Sequence, residues 1–494
     1  MLSLQRQGLV LTIAGLLIAT ILLITSGPPS LENATTLATA YLSGNSARVK
    51  RLHMLVPATD PTLDFCRFLV SNTIAGFPDP ILIGWNHHGE YDGKESHLFK
   101  VSEGLAYLNS IPTEQDDDLV IMLDAYDIWL LLRPEVMISR YNRVIAEQAA
   151  VLEEQGIYGK LNGDVVVENT LLFGADKLCW PRTSEDPGCW SVPQSPMLKQ
   201  EYGPDTDTWM VPSRPRWLNS GTLIGPLGHM RDMFNATMDA VHRLFEEGYE
   251  YHNSDQYYFT DVWGEQELTR MRLRDGLMHS PIVGYRDDGS EIRGNIPQIP
   301  DSRRTEYRLS VDSGVDLFQT AAGFTEYLTW MTFNNTTPIS EGEANRRPRI
   351  DQLPLPEDVR KSKPPFETKF PTEGLPVEKG WSDVLLGVNT VQHTVWPLFH
   401  ITGDKGYRDR WWHYFWAHPH TEALIKDAAK PYEGKGPDVL AVVDGVQYIS
   451  ADTSTMKNAT GSGGRGGGWS DVGDRYEWDE LCGEWEKDPG LYLK

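Results

Sequence analysis

Asp124 and Asp127 stand three positions apart behind an unbroken apolar run, in the stretch LVIMLDAYDIWLLL at 119–132. A short run that is apolar throughout and charged only at its end predicts a parallel strand buried on both faces. In open α/β sheets ligands bind at the carboxyl ends of strands. Two hard oxygen ligands at such an end suit Mn²⁺ or Mg²⁺. The plain alternative is a pair of solvated aspartates in a turn, and an isolated D-x-x-D does not separate the two.

Other residues widen the choice of chemistry. His400 opens HITGDKG at 400–406. An imidazole nitrogen can serve a manganese-type site. Lys405, beyond the glycine turn at Gly403, can meet a phosphate as a point charge. Asn219, Ser220 and Gly221 interrupt the apolar RWLNSGTLIG at 216–225. They read as a polar turn in which glycine lets the backbone approach a ligand. Ser254 precedes Asp255, Gln256 and an aromatic run, and it predicts the N-cap of a helix lying under a site. Cys179 and Cys189 bracket WPRTSEDPG and are a candidate disulfide. Cys66 and Cys482 lie too far apart in sequence to be paired by inspection.

The elements that must hold these residues alternate. Strands are predicted at 51–57, 81–85, 119–123 and 165–173, and helices at 63–74 and 98–108. A third helix starts near Pro134, carries Ile138, Tyr141, Ile145 and Leu152 at helical spacing, and stops before Gly156. A helix after 225 places Phe234, Val241 and Phe245 on one face. The pattern predicts an α/β fold: a mostly parallel, Rossmann-like sheet flanked by helices. The core is expected over 51–275, with its end at 381–430. Residues 276–380 read as a large insertion, Pro-rich and extended beyond 338, with a helix expected at 317–333. GSGGRGGG at 461–468 reads as a flexible linker, and the tail at 431–494 has no assignment. The aromatic tract at 411–416 is expected near an acceptor site.

Composition removes several classes of function. The chain has 494 residues and a formal net charge of −24, which excludes a phosphate-backbone partner. The length allows two or three domains at roughly 150 residues each. The uncharged apolar stretch 8–25 would span about 27 Å as a helix. Arg6 precedes it and no Lys or Arg follows before Arg48. The positive-inside rule therefore predicts a cytosolic tail at 1–7, a single-pass type II signal-anchor at 8–25 and a stem at 26–50. A cleaved signal peptide is the competing reading. Asn33, Asn235, Asn334, Asn335 and Asn458 all sit in N-x-T sequons, which fits a lumenal chain in the Golgi or ER.

Seven segments, taken in order, resemble the metal-dependent nucleotide-sugar glycosyltransferases, in particular the glycosyltransferase domain of the procollagen lysyl hydroxylases. They are PATD (57–60), FKV (99–101), LVIMLDAYDIWL (119–130), LLFGADKLCWP (171–181), RWLNSGTLIG (216–225), SDQYYFTDVW (254–263) and HITGDKG (400–406). The resemblance implies a GT-A-like fold, a UDP-sugar donor and Mn²⁺ held by Asp124, Asp127 and His400. It implies that Tyr126 stacks on the uracil and that Thr59 lines the nucleoside pocket. Lys100, Gly403 and Lys405 would meet the donor sugar or diphosphate. Asn219, Ser220 and Gly221 would edge the sugar pocket, and Trp180, Asp255 and Gln256 would face the donor sugar or the acceptor. The family carries a run of aspartates before its D-Q pair where this chain has Ser254.

The function expected is therefore Mn²⁺-dependent transfer of a hexose from a UDP-sugar to a glycan or glycoprotein acceptor. Two other readings remain: a catalytically silent glycan-binding scaffold on the same fold, and a nucleotide-sugar hydrolase. The sequence leaves the sugar, the acceptor, the stereochemistry and the oligomeric state open.

Overall fold

A computed structural model describes residues 48–276, 284–285, 291–292, 298–300, 302–334, 353–368, 372–430, 438–451 and 465–492. The expected anchor at 8–25 and Asn33, Asn335 and Asn458 lie outside these residues. Among the described residues no helix is long and apolar enough to cross a membrane. The chain divides into a small unit, 1–49 with 445–447, and a body, 50–444 with 448–494; the body is described below.

The first half follows the alternation of its sequence. β1 (Arg48–Pro57) leads to α1 (Leu63–Ala75), which Thr62 caps by accepting from the N–H of Phe65, and which Gly76 ends at φ 92°. β2 (Ile81–Ile83), α2 (Phe99–Ser110), β3 (Leu119–Leu123) and β4 (Ile128–Leu130) follow. α3 (Pro134–Glu154) carries its proline in the first turn, where no N–H is required. The single strand expected at 165–173 is two elements. β5 (Leu161–Asn162) and β6 (Val165–Val166) form a hairpin, the polar Glu168-Asn169-Thr170 intervenes, and β7 (Leu171–Asp176) begins. α4 (Pro187–Trp190), β8 (Trp217–Pro226), α5 (Leu227–Leu244) and α6 (Asp255–Asp275) complete this half. Phe234 and Val241 are buried as expected, but Phe245 is the C-cap of α5 and is exposed.

The second half departs from its reading. β9 (Gly284–Tyr285) pairs with β10 (Glu291–Ile292). β11 (Leu309–Val311), β12 (Phe318–Thr320) and β13 (Leu328–Met331) are buried strands, and β11 pairs with β7, so 302–334, expected to belong to an insertion, packs as part of the fold. The helix expected at 317–333 does not form; only a single 3-10 turn, Thr325–Tyr327, lies between β12 and β13. The apolar residues of this stretch suit either periodicity, but Gly323 adopts φ 73° between β12 and β13. The β-branched Thr320 and Thr329 also favour strands. α7 (Glu357–Lys361) lies in the Pro-rich stretch. Arg133 fastens this stretch by donating to the carbonyls of Pro364 and Pro365 at 2.6 and 2.9 Å. β14 (Leu386–Asn389), β15 (Thr394–Val395), β16 (Leu398–His400), α8 (Tyr407–Trp411) and α9 (Thr421–Ala428) follow. The tail contributes β17 (Val439–Val443), β18 (Val446–Ser450), β19 (Gly468–Ser470), β20 (Arg475–Tyr476) and α10 (Trp478–Cys482).

The central sheet runs β11-β7-β8-β3-β1-β2-β19-β20. β3, β1, β2 and β19 are mutually parallel neighbours, as are β11 and β7. β8 is antiparallel to both β3 and β7, and β20 to β19. The fold is α/β on a mixed sheet. α2, α5 and α6 cover one face, with Met122, Phe173, Leu223, Phe234, Phe259 and Trp263 in one core cluster.

Two disulfides staple the body, Cys179–Cys189 and Cys66–Cys482. The second ties α1 to α10, which the sequence separation had hidden. The aromatic tract is core and not an acceptor surface: Trp411, Trp412, Phe415 and Trp416 are all at most 5% exposed. Trp412 meets Trp129 edge-on at 5.2 Å, and Trp411 stacks on Phe399 at 5.5 Å. Burying one such side chain contributes about 1.5–3 kcal/mol, which explains so dense a tract better than surface recognition does.

Candidate metal and donor site

Strand pairing brings the three metal-ligand candidates together. Asp124 follows β3 directly. Its N–H donates to the carbonyl of Gly221 at 3.0 Å, because β3 and β8 are antiparallel with Leu123 opposite Thr222. Asp127 precedes β4, which pairs antiparallel with β16, so that Ile128 lies opposite His400. The N–H of Ile401 then donates to the carbonyl of Asp127 at 2.7 Å. His400 thus arrives beside Asp127, with Nε2 3.3 Å from Oδ2. One ligand atom from each of Asp124, Asp127 and His400 lies within 4.8 Å of the others.

Gly221 leaves the space between them. A Cβ there would stand 2.8 Å from His400 Nε2 and 2.9 Å from Asp124 Oδ2, inside contact distance. Residues 219–221 lie within β8 and are buried, and the interruption expected there is a bulge against β7: Phe173 faces Leu223 and the next residue, Gly174, faces Asn219, so Ser220, Gly221 and Thr222 have no partner on β7. Two carboxylates and an imidazole around a gap that a methyl group would fill suit Mn²⁺ or Mg²⁺.

Two lysines neutralise these carboxylates. Lys100, in the first turn of α2, places Nζ 2.8 Å from Asp124 Oδ1, 3.0 Å from Asp255 Oδ2 and 2.6 Å from the carbonyl of Ser220. Its burial favours the neutral amine, yet Asp124 and Asp255 outweigh that and raise its pKa. Lys405 donates to Asp127, and at 2.9 Å to the carbonyl of Ile401. Burial pushes the Asp127 carboxyl up, but His400 and then Lys405 hold it below the ordinary carboxylate range. Asp255 behaves alike, with burial opposed by Lys100 and His97. It also sits in the first turn of α6, where the helix dipole favours an anion.

Hydrogen bonds fix the remaining wall. Gln256 accepts from the N–H of Ser220 at 3.1 Å and donates to the carbonyl of Trp180 at 2.7 Å, joining α6, β8 and the loop after β7. Asn219 accepts from the N–H of Gly221 at 3.1 Å and donates to Asp176 Oδ2 at 3.0 Å. The Tyr126 hydroxyl accepts from the N–H groups of Thr59 and Asp60 at 2.9 and 3.0 Å, which sets the direction of its ring.

These residues surround one cavity of about 650 Å³. Asp124, Asp127 and His400 line it. So do Asp255 and Gln256, and so do Thr59, Lys100, Tyr126, Trp180, Asn219, Ser220, Gly221, Gly403 and Lys405. Trp180 stands at the rim, 44% exposed, with Tyr251 edge-on at 5.5 Å. Of the sequon residues that are described, Asn235 and Asn334 are exposed and away from the cavity lining.

The same cavity holds groups that sequence reasoning passed over. Asp176, at the end of β7, is half-buried on the cavity wall, and desolvation there pushes its carboxyl pKa up. Lys177 is buried against Tyr202, Phe324 and Tyr327, its Nζ 3.6, 4.2 and 4.7 Å from the ring centroids. Burial holds its pKa well below that of an ordinary lysine. Arg408 donates to the carbonyl of Tyr126 at 3.2 Å. Asp176 and Lys177 had a signal, since a strand end carrying GADK satisfies the same rule that singled out Asp124. Arg408 had none.

No family model matches this chain, and no curated protein matches it.

Proposed function

We propose that this chain is a metal-dependent glycosyltransferase of GT-A type, moving a hexose from a UDP-sugar to a glycan or glycoprotein acceptor in the Golgi or ER lumen. The observation that carries the reading is the cluster of Asp124, Asp127 and His400, with ligand atoms within 4.8 Å of one another, on the wall of a 650 Å³ cavity that Lys100 and Lys405 also face. Two disulfides support a lumenal setting.

Loss of a nucleoside diphosphate from a sugar requires stabilisation of the charge that develops on the leaving oxygen. A divalent ion held by Asp124, Asp127 and His400 supplies Lewis-acid stabilisation of the diphosphate. Lys100 and Lys405 add fixed positive charge in a partly desolvated pocket, where it acts more strongly than in water. Tyr126, its hydroxyl anchored to the backbone of Thr59 and Asp60, offers a ring of fixed direction for a base to stack on. Asp255 is ionised beside Lys100 and is the carboxylate placed to accept an acceptor hydroxyl proton in an inverting transfer.

The test is UDP release by the purified protein from a panel of UDP-sugars, with Mn²⁺ or with EDTA. The expected result is metal-dependent turnover of one donor that rises when glycan or glycoprotein acceptors are added. Turnover indifferent to every acceptor would favour the hydrolase reading. No binding and no turnover would leave the silent scaffold.

A further inference from the structure

A second group of metal-ligating side chains lies outside this cavity. β2 and β19 are parallel neighbours, with Leu82 opposite Ser470, so the loops leaving their carboxyl ends run side by side. His88 lies in the loop after β2, and Asp471 is the first residue after β19. The N–H of Gly84 donates to Asp471 Oδ2 at 2.9 Å, and His88 Nε2 lies 2.5 Å from Asp471 Oδ1. Glu103, one turn beyond Lys100 on α2, completes the group. One ligand atom from each of His88, Glu103 and Asp471 lies within 4.8 Å of the others. The Asp471 side chain is only 5% exposed. Among the described residues, neither Glu103 nor Asp471 has an ion pair with a lysine or arginine. Gly89, at φ 117°, brings the loop backbone so close that a Cβ would stand 2.5 Å from the Glu103 carboxyl carbon.

We propose that His88, Glu103 and Asp471 form a second divalent transition-metal site, which fastens the C-terminal segment to the wall of the donor cavity. One imidazole and two carboxylates from three separate segments converge with two negative charges and no lysine or arginine to balance them. A divalent cation supplies that balance. The donor set accepts several first-row metals, and at N/O sites Zn²⁺ binds more tightly than Mn²⁺. With three protein ligands, water would complete a tetrahedral shell. The site is structural: it clamps the loop that contributes Gly93 and His97 to the cavity, and the helix that contributes Lys100.

The experiment uses Zn²⁺ as probe on the full chain, stripped with EDTA and then titrated, with bound zinc and thermal midpoint as readouts. Asp127→Ala serves as the background in which the first cluster is disabled. The expected result is one zinc per chain that persists in Asp127→Ala, raises its thermal midpoint, and is weakened at least about tenfold by His88→Ala. Circular dichroism of the stripped proteins checks that His88→Ala remains folded; should it not, Glu103→Gln, on a partly exposed side chain, is judged by the same readouts. Zinc binding by the variant equal to its parent, or no zinc retained in the Asp127→Ala background, would overturn the proposal. Neither result bears on transfer activity, so this claim and the proposed function fail independently.

Discussion

Asp124, Asp127 and His400 have nearly the same donors as Glu103, Asp471 and His88, yet the two clusters have different surroundings. The first lies against two lysines and opens on a 650 Å³ cavity; the second lies outside that cavity and, among the described residues, has no ion pair with a lysine or arginine. A cation site that must admit a diphosphate and stabilise its departure needs room and extra positive charge. A site that only joins two segments needs neither. The difference teaches that ligand type alone does not separate a catalytic metal from a structural one, and that the neighbouring charges and open space do.

Asp127→Ala breaks the comparison most sharply. It is expected to lower transfer by about 10³-fold while the protein stays folded, because Lys405, 44% exposed, can be solvated once its partner is gone. Initial rates with Mn²⁺ and a thermal melt check this together, and full activity would refute the metal assignment. Lys100→Met removes the counterion of Asp124 and Asp255 in a buried setting. The expected loss is about 3–5 kcal/mol of stability, as for other broken buried pairs. Mn²⁺ should raise the melting temperature of this variant more than that of the parent, because the ion then takes up charge on Asp124. An equal shift in both proteins would contradict that. Gly221→Ala has the smallest expected effect. It fills the gap between His400 and Asp124 and should weaken Mn²⁺ about 10–100-fold, read by titration, with zinc at His88, Glu103 and Asp471 unchanged.

The first half of the chain was legible because its signals are local. An apolar run ending in carboxylates described β3 and Asp124, and Pro134 and Ser254 marked helix starts where the structure has them. From its own segment His400 was no more than a loop histidine in HITGDKG, and it was the resemblance that implied its place beside Asp124 and Asp127. Its position beside Asp127 depends on the pairing of β16 with β4, strands of three residues each that lie far apart in sequence. The ion pair of Lys100 with Asp255 is equally non-local. Short strands also hid 302–334, since three apolar residues fit a helix turn as well as a strand.

The Gly-rich stretch shows how composition can mislead. GRGGG reads as flexible, yet Gly466, Gly467 and Gly468 are buried. A Cβ on Gly468 would approach Leu82 to 3.2 Å, so glycine there permits β19 to lie against β2. His88 showed no distinguishing pattern, because the residue that gives it meaning, Asp471, stands across that same contact.

The central claim is that one divalent ion and one nucleoside diphosphate share the first cluster. The most direct measurement is UDP affinity of the purified protein with and without Mn²⁺, together with Mn²⁺ affinity with and without UDP. The account predicts that each tightens the other by the same factor, as linkage requires, and that Asp127→Ala abolishes the coupling. UDP binding of equal strength in Mn²⁺ and in EDTA would contradict it.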